Sequence, residues 1–300
     1  DKPKITFSTN PNPRNRALID GLIPIDGYDL EYVGDKYSAG EIHYRFMQGE
    51  FDLAEMSTAT LMRAKEKGKR FLALPVFFQR GPRQRNIFYC EGKLKDPSDL
   101  KGKKVGAFRY GATAVSWARG YLLDEHGIKT TDVDWFVSGK EVFIGNELPV
   151  KVERLDPPPP FGQEKPHLAK LLGEGALGAA LVAGDSGYPG LFGGGVLPGV
   201  MGAVSGVKPL FVDTDEIIRY VKRTQIYPII HIMTIKEETV EKYPDLAAKL
   251  IEAFREANRL APKYFKNGDA AGYAKERDVL GYDPYAGVLT ESDKKSIQAL

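Results

Sequence analysis

The chain has 300 residues, and its 42 Lys+Arg against 40 Asp+Glu leave a net charge of +2. A nucleic-acid binder of this size carries a basic excess to neutralise phosphates, and overall there is none here. With 42% hydrophobic and 27% charged residues the composition is globular, and the length suggests two domains, each able to bury a core.

In chain order, the first half alternates short apolar runs with helical patterns, which predicts βα units on a mainly parallel sheet. Lys4–Ser8 reads as a strand, followed by the Asn/Pro-rich turn Thr9–Pro13 and a helical segment over Arg16–Ile19. Tyr28–Val33 alternates as a second strand. Ala39–Gly49 reads as a helix with Ile42, Phe46 and Met47 on one face. Phe51–Met56 is a third strand, Ala59–Lys67 a helix and Phe71–Phe78 a fourth strand. Asn86–Cys90 is a further strand, Ser98–Leu100 a helical turn after Asp96-Pro97, and Lys104–Phe108 a strand. Thr113–Glu125 reads as a helix closed by Gly127. Asp134–Val137 is a strand, and the four prolines Pro157–Pro160 run as extended polyproline. Leu168–Leu172 is helical and Ala179–Val182 a strand.

Ser186–Val207 is 22 residues without a charge, long enough to cross a bilayer as a helix. Its eight glycines and two prolines argue instead for an apolar loop, so no membrane span is expected. Beyond it, Leu210–Val212 reads as a strand, Thr214–Arg223 as a helix, Ile229–Ile235 as a strand and Pro244–Phe265 as a long amphipathic helix. The first residue is Asp1 rather than Met, which fits removal of a secretory leader, with truncation as the other explanation.

Several chemistries lack their residues. Cys90 is the only cysteine, and His43, His126, His167 and His231 lie far apart without metal-ligand spacing, so no metal site is expected. There is no P-loop, no strand–GxGxxG–helix unit and no GxSxG elbow, so no cofactor is expected. What stands out is arginine near strand ends: Arg14 and Arg16 after the first strand, Arg80, Arg83 and Arg85 after the fourth, and Arg109 after KVGAF. Ligands of open α/β sheets bind outside the carboxyl ends of strands, and guanidinium matches a carboxylate with two donors. Taken singly, each arginine reads more simply as a solvated loop charge; the set points to a small anion. Ser57, Thr58, Gly111 and Thr113 occupy similar positions, with backbone N–H groups at a helix start near Gly111–Thr113. His231 lies in the apolar run YPIIHIMTI, either as a buried, satisfied histidine or as a ligand contact. Tyr110, Trp117 and Tyr227 offer stacking surfaces, although aromatics at such spacing more often build core.

The stretches KITFS…RNRALIDG (4–21), HYRFMQGEFDLAEMS (43–57), DPSDLKGKKVGAF (96–108), TAVSWARGYLLDEHGI (113–128) and RTQIYPIIH (223–231) resemble the 4,5-dihydroxyphthalate decarboxylase family. That family is related to type 2 periplasmic substrate-binding proteins. The resemblance implies two α/β lobes joined by two hinge strands, near Asn86–Cys90 and Ile226–Met233, with a ligand cleft between. Lobe 1 would be residues 1–89 and 228–300, and lobe 2 residues 90–227. The chain departs from the family in three places. It has Phe108-Arg109-Tyr110-Gly111 where relatives carry Pro-Glu-Tyr-Gln, Arg83-Gln84 where they carry Arg-His, and Gly184-Asp185-Ser186 where they carry Gly-Pro-Arg.

The expectation is a periplasmic or otherwise extracytoplasmic solute-binding protein for a small organic anion, aromatic carboxylates included, working by hinge closure with an ABC permease as partner. Its ligand-binding residues would be Arg14, Arg16, Ser57, Thr58, Arg80, Arg83, Arg109, Tyr110, Gly111, Thr113 and His231. The alternative is a cytoplasmic aromatic-acid decarboxylase with His231 as proton donor.

Overall fold

The computed structural model describes residues 1–142, 148–184 and 199–300. The chain opens with β1 (Lys4–Ser8), α1 (Arg16–Ile19), β2 (Asp29–Tyr32), α2 (Ala39–Met47), β3 (Leu53–Ser57), α3 (Thr58–Glu66) and β4 (Phe71–Ala73). The middle contributes β5 (Ile87–Cys90), β6 (Lys104–Ala107), α4 (Thr113–His126), β7 (Asp134–Val137), β8 (Val152–Arg154), α5 (Lys165–Gly173), β9 (Ala179–Leu181), α6 (Gly199–Gly202), β10 (Val207–Pro209) and α7 (Thr214–Thr224). The last part holds β11 (His231–Lys236), α8 (Glu237–Lys242), α9 (Leu246–Leu260), α10 (Asp269–Leu280) and α11 (Glu291–Ala299).

These elements form two compact units: Asp1–Gly81 with Gln225–Ala299, and, among the described residues, 82–142, 148–184 and 199–224. The sheet of the first unit runs β2-β1-β3-β11-β4. Its β1, β2 and β3 are parallel, and β11 enters antiparallel between β3 and β4. The sheet of the second unit runs β10-β5-β9-β6-β7-β8, with β5 antiparallel to both neighbours and β6, β7, β8 and β9 parallel.

Apolar periodicity accounts for most of this. In α9, Leu246, Leu250, Ala253, Phe254 and Ala257 are buried at helical spacing. They pack with Ile5, Phe7, Leu53, Met233 and Ile235 of the first sheet. Burying each large apolar side chain stabilises by about 1.5–3 kcal/mol. The Ser38 hydroxyl and the Glu41 carboxylate cap α2 reciprocally. Gly127 ends α4 in the left-handed region, as its sequence position predicts.

Some boundaries differ from expectation for identifiable reasons. The predicted strand Phe71–Phe78 pairs regularly only through Ala73, because Pro75 has no N–H to continue the ladder. The predicted strand Leu210–Val212 is displaced to β10. Gly206, at φ 78°, reverses the chain, and Val207–Pro209 then pairs with Phe88–Cys90. The helix expected to reach Phe265 ends at Leu260, followed by a 3₁₀ turn over Ala261–Tyr264 that contains Pro262. Of the glycine-rich stretch expected to be a loop, 186–198 lie outside the described residues, whereas Gly199–Gly202 is helical and Val207 starts a strand. Among the described residues no helix is long and apolar enough to cross a membrane.

Two helices without a predicted counterpart, α10 and α11, close the first unit around buried polar groups. Glu276 is 1% exposed and accepts hydrogen bonds from Tyr227 Oη (2.5 Å) and Tyr285 Oη (3.2 Å). Burial raises its carboxyl above the ordinary value, outweighing the opposing pull of Tyr227, Arg14, Tyr285 and Arg80. A carboxyl raised in the folded state contributes stability below its unfolded value of 4.5, and that contribution is lost as pH climbs through the folded value. The first unit should therefore lose thermal stability through this group as pH rises above about 4.5. Glu276→Gln should flatten that slope; melting curves of the variant that keep the wild-type pH dependence would rule the assignment out.

Candidate functional site

In the first unit, the carboxyl ends of β1 and β3 meet the amino end of β11. His231 lies opposite Ser57 in the antiparallel ladder, and Glu55 lies opposite Met233. Residues facing each other across a ladder share a face, so Glu55 and His231 are diagonal neighbours on one side of the sheet. Glu55 Oε1 sits 2.8 Å from His231 Nδ1. Its Oε2 accepts from the Thr9 hydroxyl and from Asn10 N–H at 3.0 Å. Asn15 Nδ2 donates in turn to Thr9 Oγ1 (3.0 Å) and to Asn10 O (2.8 Å). The His43 ring, from α2, stands edge-on to His231 with centroids 4.8 Å apart.

Histidines 188 positions apart in sequence (231 − 43) are thus neighbours, contrary to the expectation that the four are scattered. Parallel β3 and antiparallel β11 bring them together, which linear spacing cannot express. Among the described residues there is still no group of three or more side chains arranged to hold a metal ion. Sequence reasoning missed Glu55; the signal available was a carboxylate at an inward position of a fully buried strand, LAEMS.

The other first-unit residues are placed differently. Ser57 and Thr58 are buried, with Ser57 Oγ accepting from Thr60 Oγ1 (3.1 Å) and Thr58 Oγ1 donating to Ile230 O (3.1 Å). Arg14 is buried under Tyr285 and Tyr273, 3.3 and 4.1 Å from their ring centroids. Arg80 forms a fully buried ion pair with Asp293 at 2.5 Å. Arg16 lies at the surface, paired with Asp20 at 2.7 Å. Arg14 and Arg80 are thus engaged by groups of their own unit, whereas Arg16 stays at the surface beside Asp20.

In the second unit, β6 leads through Phe108–Ala112 into α4. The Tyr110 and Gly111 amides do face a carboxylate, but it belongs to the chain itself. Glu141, 5% exposed, accepts from Tyr110 N (2.7 Å) and Gly111 N (3.1 Å), with Arg154 Nη1 4.0 Å away. The Tyr110 ring is core, packed on Trp135 at 5.2 Å and under the Arg119 guanidinium at 3.8 Å. Thr113 is buried at the first position of α4. Arg83 donates to Pro82 O at 3.3 Å, and Arg85 binds Val212 O and Thr214 Oγ1.

Arg109 is different. Its side chain is 11% exposed, and its nearest carboxylate, Glu164, is at 3.6 Å. Phe108 and Phe161 lie 4.7 and 5.4 Å from the guanidinium, and Nε has no hydrogen-bond partner among the described residues. Burial lowers its pKa from the ordinary value, although Glu164 and Glu141 pull the other way. A desolvated guanidinium with spare donor capacity is a place where an anion binds favourably.

No family profile matches the chain. Over 275 residues it is 27% identical to a 4,5-dihydroxyphthalate decarboxylase of Comamonas testosteroni, covering 87% of this chain and 76% of that protein. A 4,5-dihydroxyphthalate decarboxylase of Pseudomonas putida is 31% identical over 144 residues, covering 47% of this chain and 55% of the relative's length. Among solved structures, the periplasmic aliphatic sulphonate binding protein of Escherichia coli aligns with a TM-score of 0.53 at 15% identity, over 95% of this chain and 81% of that one. The ligand-binding component of an ABC-type import system from Staphylococcus aureus aligns with a TM-score of 0.52 at 14% identity, over 99% and 90%. In sequence the chain resembles the decarboxylases, and in fold it is a type 2 periplasmic-binding-protein α/β structure, as its motifs imply.

Proposed function

We propose that the chain is a solute-binding protein of the ABC-import type for a small organic anion, aromatic carboxylates included. It would work outside the cytoplasm, capture its ligand by hinge closure and pass it to an ABC permease. The observation that carries this reading is Arg109, nearly buried, with a donor left over and no carboxylate closer than 3.6 Å among the described residues. Ser57, Thr58, Gly111 and Thr113 remain proposed as the polar surroundings of the ligand, and His231 as its contact in the first unit. The fold shared with solute-binding proteins supports the reading, although fold alone does not fix function.

Isothermal titration with benzoates, phthalates, alkyl carboxylates and alkanesulphonates tests it. At least one class should bind at micromolar Kd or tighter, about −8 kcal/mol. Arg109→Ala should then weaken binding by about ten- to a hundredfold, the worth of one charge-assisted contact. Silence across the whole panel would sink the proposal.

A second reading, an aromatic-acid decarboxylase, is favoured by the Glu55–His231 pair and by the 27% identity to such an enzyme. Loss of CO₂ leaves an electron pair on carbon that needs a proton, and a histidine is a suitable donor. Incubation with 4,5-dihydroxyphthalate should then release CO₂ at a rate that His231→Gln abolishes; no release above background sets this reading aside.

A further inference from the structure

We infer that Glu55 is a positioning residue that fixes His231 as the Nδ1–H tautomer, turning Nε2 into a hydrogen-bond acceptor that selects ligands carrying a hydroxyl donor. The inference deepens the proposed function and rests on the ligand reaching the carboxyl ends of β1 and β3.

The Glu55 carboxylate is 3% exposed. Thr9 Oγ1 receives Asn15 Nδ2, so its own hydrogen is free to point at Glu55 Oε2. Asn10 N–H points at the same oxygen. With two donors on Oε2, the carboxyl acts as an acceptor, and Oε1 at 2.8 Å from Nδ1 leaves the ring nitrogen to supply the hydrogen. A neutral imidazole with hydrogen on Nδ1 has a lone pair on Nε2. Nε2 has no hydrogen-bond partner among the described residues, and the His231 side chain is 12% exposed. The titratable groups facing the ring are Glu55 across the sheet and His43 from α2.

The consequence is a rule of selection. A bare carboxylate or sulphonate presents lone pairs to a lone pair at Nε2, which repels it. A phenol or hydroxy acid presents O–H and completes the bond. A site built to bond a hydroxyl discriminates strongly against the analogue that lacks it, because its polar group is then left unpaired. The hydroxyl of the ligand is left to His231.

Two measurements test this separately. Nitrogen-15 NMR of histidine-labelled protein at pH 8, assigned by difference from His231→Gln, should show protonated Nδ1 and unprotonated Nε2 in the wild type. The reverse tautomer overturns the inference, and this reading needs no ligand and no variant of Glu55. Glu55→Gln and Thr9→Ala, which loosens the carboxylate without removing it, should both move the ring toward Nε2–H. Titration with benzoate, 3-hydroxybenzoate and 4-hydroxybenzoate should then favour one hydroxylated acid at least tenfold in the wild type, with the preference falling to within about threefold in Glu55→Gln. Equal affinity of all three acids in the wild type overturns the selection rule. Failure of every acid to bind counts against the organic-anion reading, while the tautomer of His231 still decides the role of Glu55.

Discussion

Asp293→Ala should lower the melting temperature of the first unit by about 6–20 °C, the equivalent of about 3–5 kcal/mol. Asp293 is 2% and Arg80 0% exposed in their side chains. The Arg80 guanidinium also donates to Pro284 O (3.1 Å) and Tyr227 O (2.7 Å), so it cannot swing out to water when its partner is removed. The loss leaves an uncompensated buried charge, the costliest outcome for such a pair. Asp293 also caps a helix. Its Oδ2 accepts from Thr290 N (2.8 Å) and its own N–H bonds Thr290 Oγ1 (3.1 Å), a reciprocal cap at the start of α11. Asp293→Asn keeps the shape and should cost less. The double variant Arg80→Met with Asp293→Leu should lose less than Asp293→Ala alone, because both charges leave together. A thermal shift below about 2 °C for Asp293→Ala would show that the pair does not hold the helix as described.

The second large effect belongs to Glu141. Its carboxylate satisfies two amides at the entrance to α4, where the helix dipole favours negative charge, and it lies close to Arg154. Glu141→Ala takes the carboxylate away from those buried donors, at about 1–3 kcal/mol, and removes a counter-charge from Arg109. The vacated cradle then fits a free carboxylate. Tens of millimolar formate or acetate should restore several degrees of the lost melting temperature in Glu141→Ala, whereas chloride at equal ionic strength should not, and wild type should respond to neither. Organic anions should also bind Glu141→Ala about ten- to a hundredfold more tightly than wild type if their carboxylate takes the same amides. No rescue by any carboxylate would mean that the amides turn to other partners when Glu141 is gone.

Most of the fold was legible in the sequence because apolar periodicity marks it. Lys4–Ser8 and Asp134–Val137 are short apolar runs buried on both faces, Thr113–His126 buries residues at helical spacing, and Gly127 ends its helix by backbone geometry alone. The helices α10 and α11 were illegible for the opposite reason. Their buried positions are Asp269, Gly272, Glu276, Asp293 and Ser296, which a hydrophobic pattern scores as surface. The same blindness hid the partners of two arginines. Arg14 and Arg80 stand where an anion clamp would stand, but their partners, Tyr273, Tyr285 and Asp293, come from those unseen helices and the turn between them. His231 was legible as a residue and not as a pair, since Glu55 is 176 positions away.

That separation also bears on how the protein is made. The central sheet of the first unit lacks β11 until residues beyond 231 have left the ribosome, yet β1, β2, β3 and β4 emerge long before. The whole second unit is synthesised in that interval, at about 5–20 residues per second. For several seconds or more the nascent chain carries an incomplete sheet in which β3 and β4 each lack their shared neighbour. The described residues of the second unit lie almost wholly between 82 and 224, so its strands emerge close together. The pair Glu55–His231 cannot form until β11 has been synthesised. The exposed flank of β3, fully buried in the finished protein, is where a chaperone binding extended apolar chain would find its target during that time.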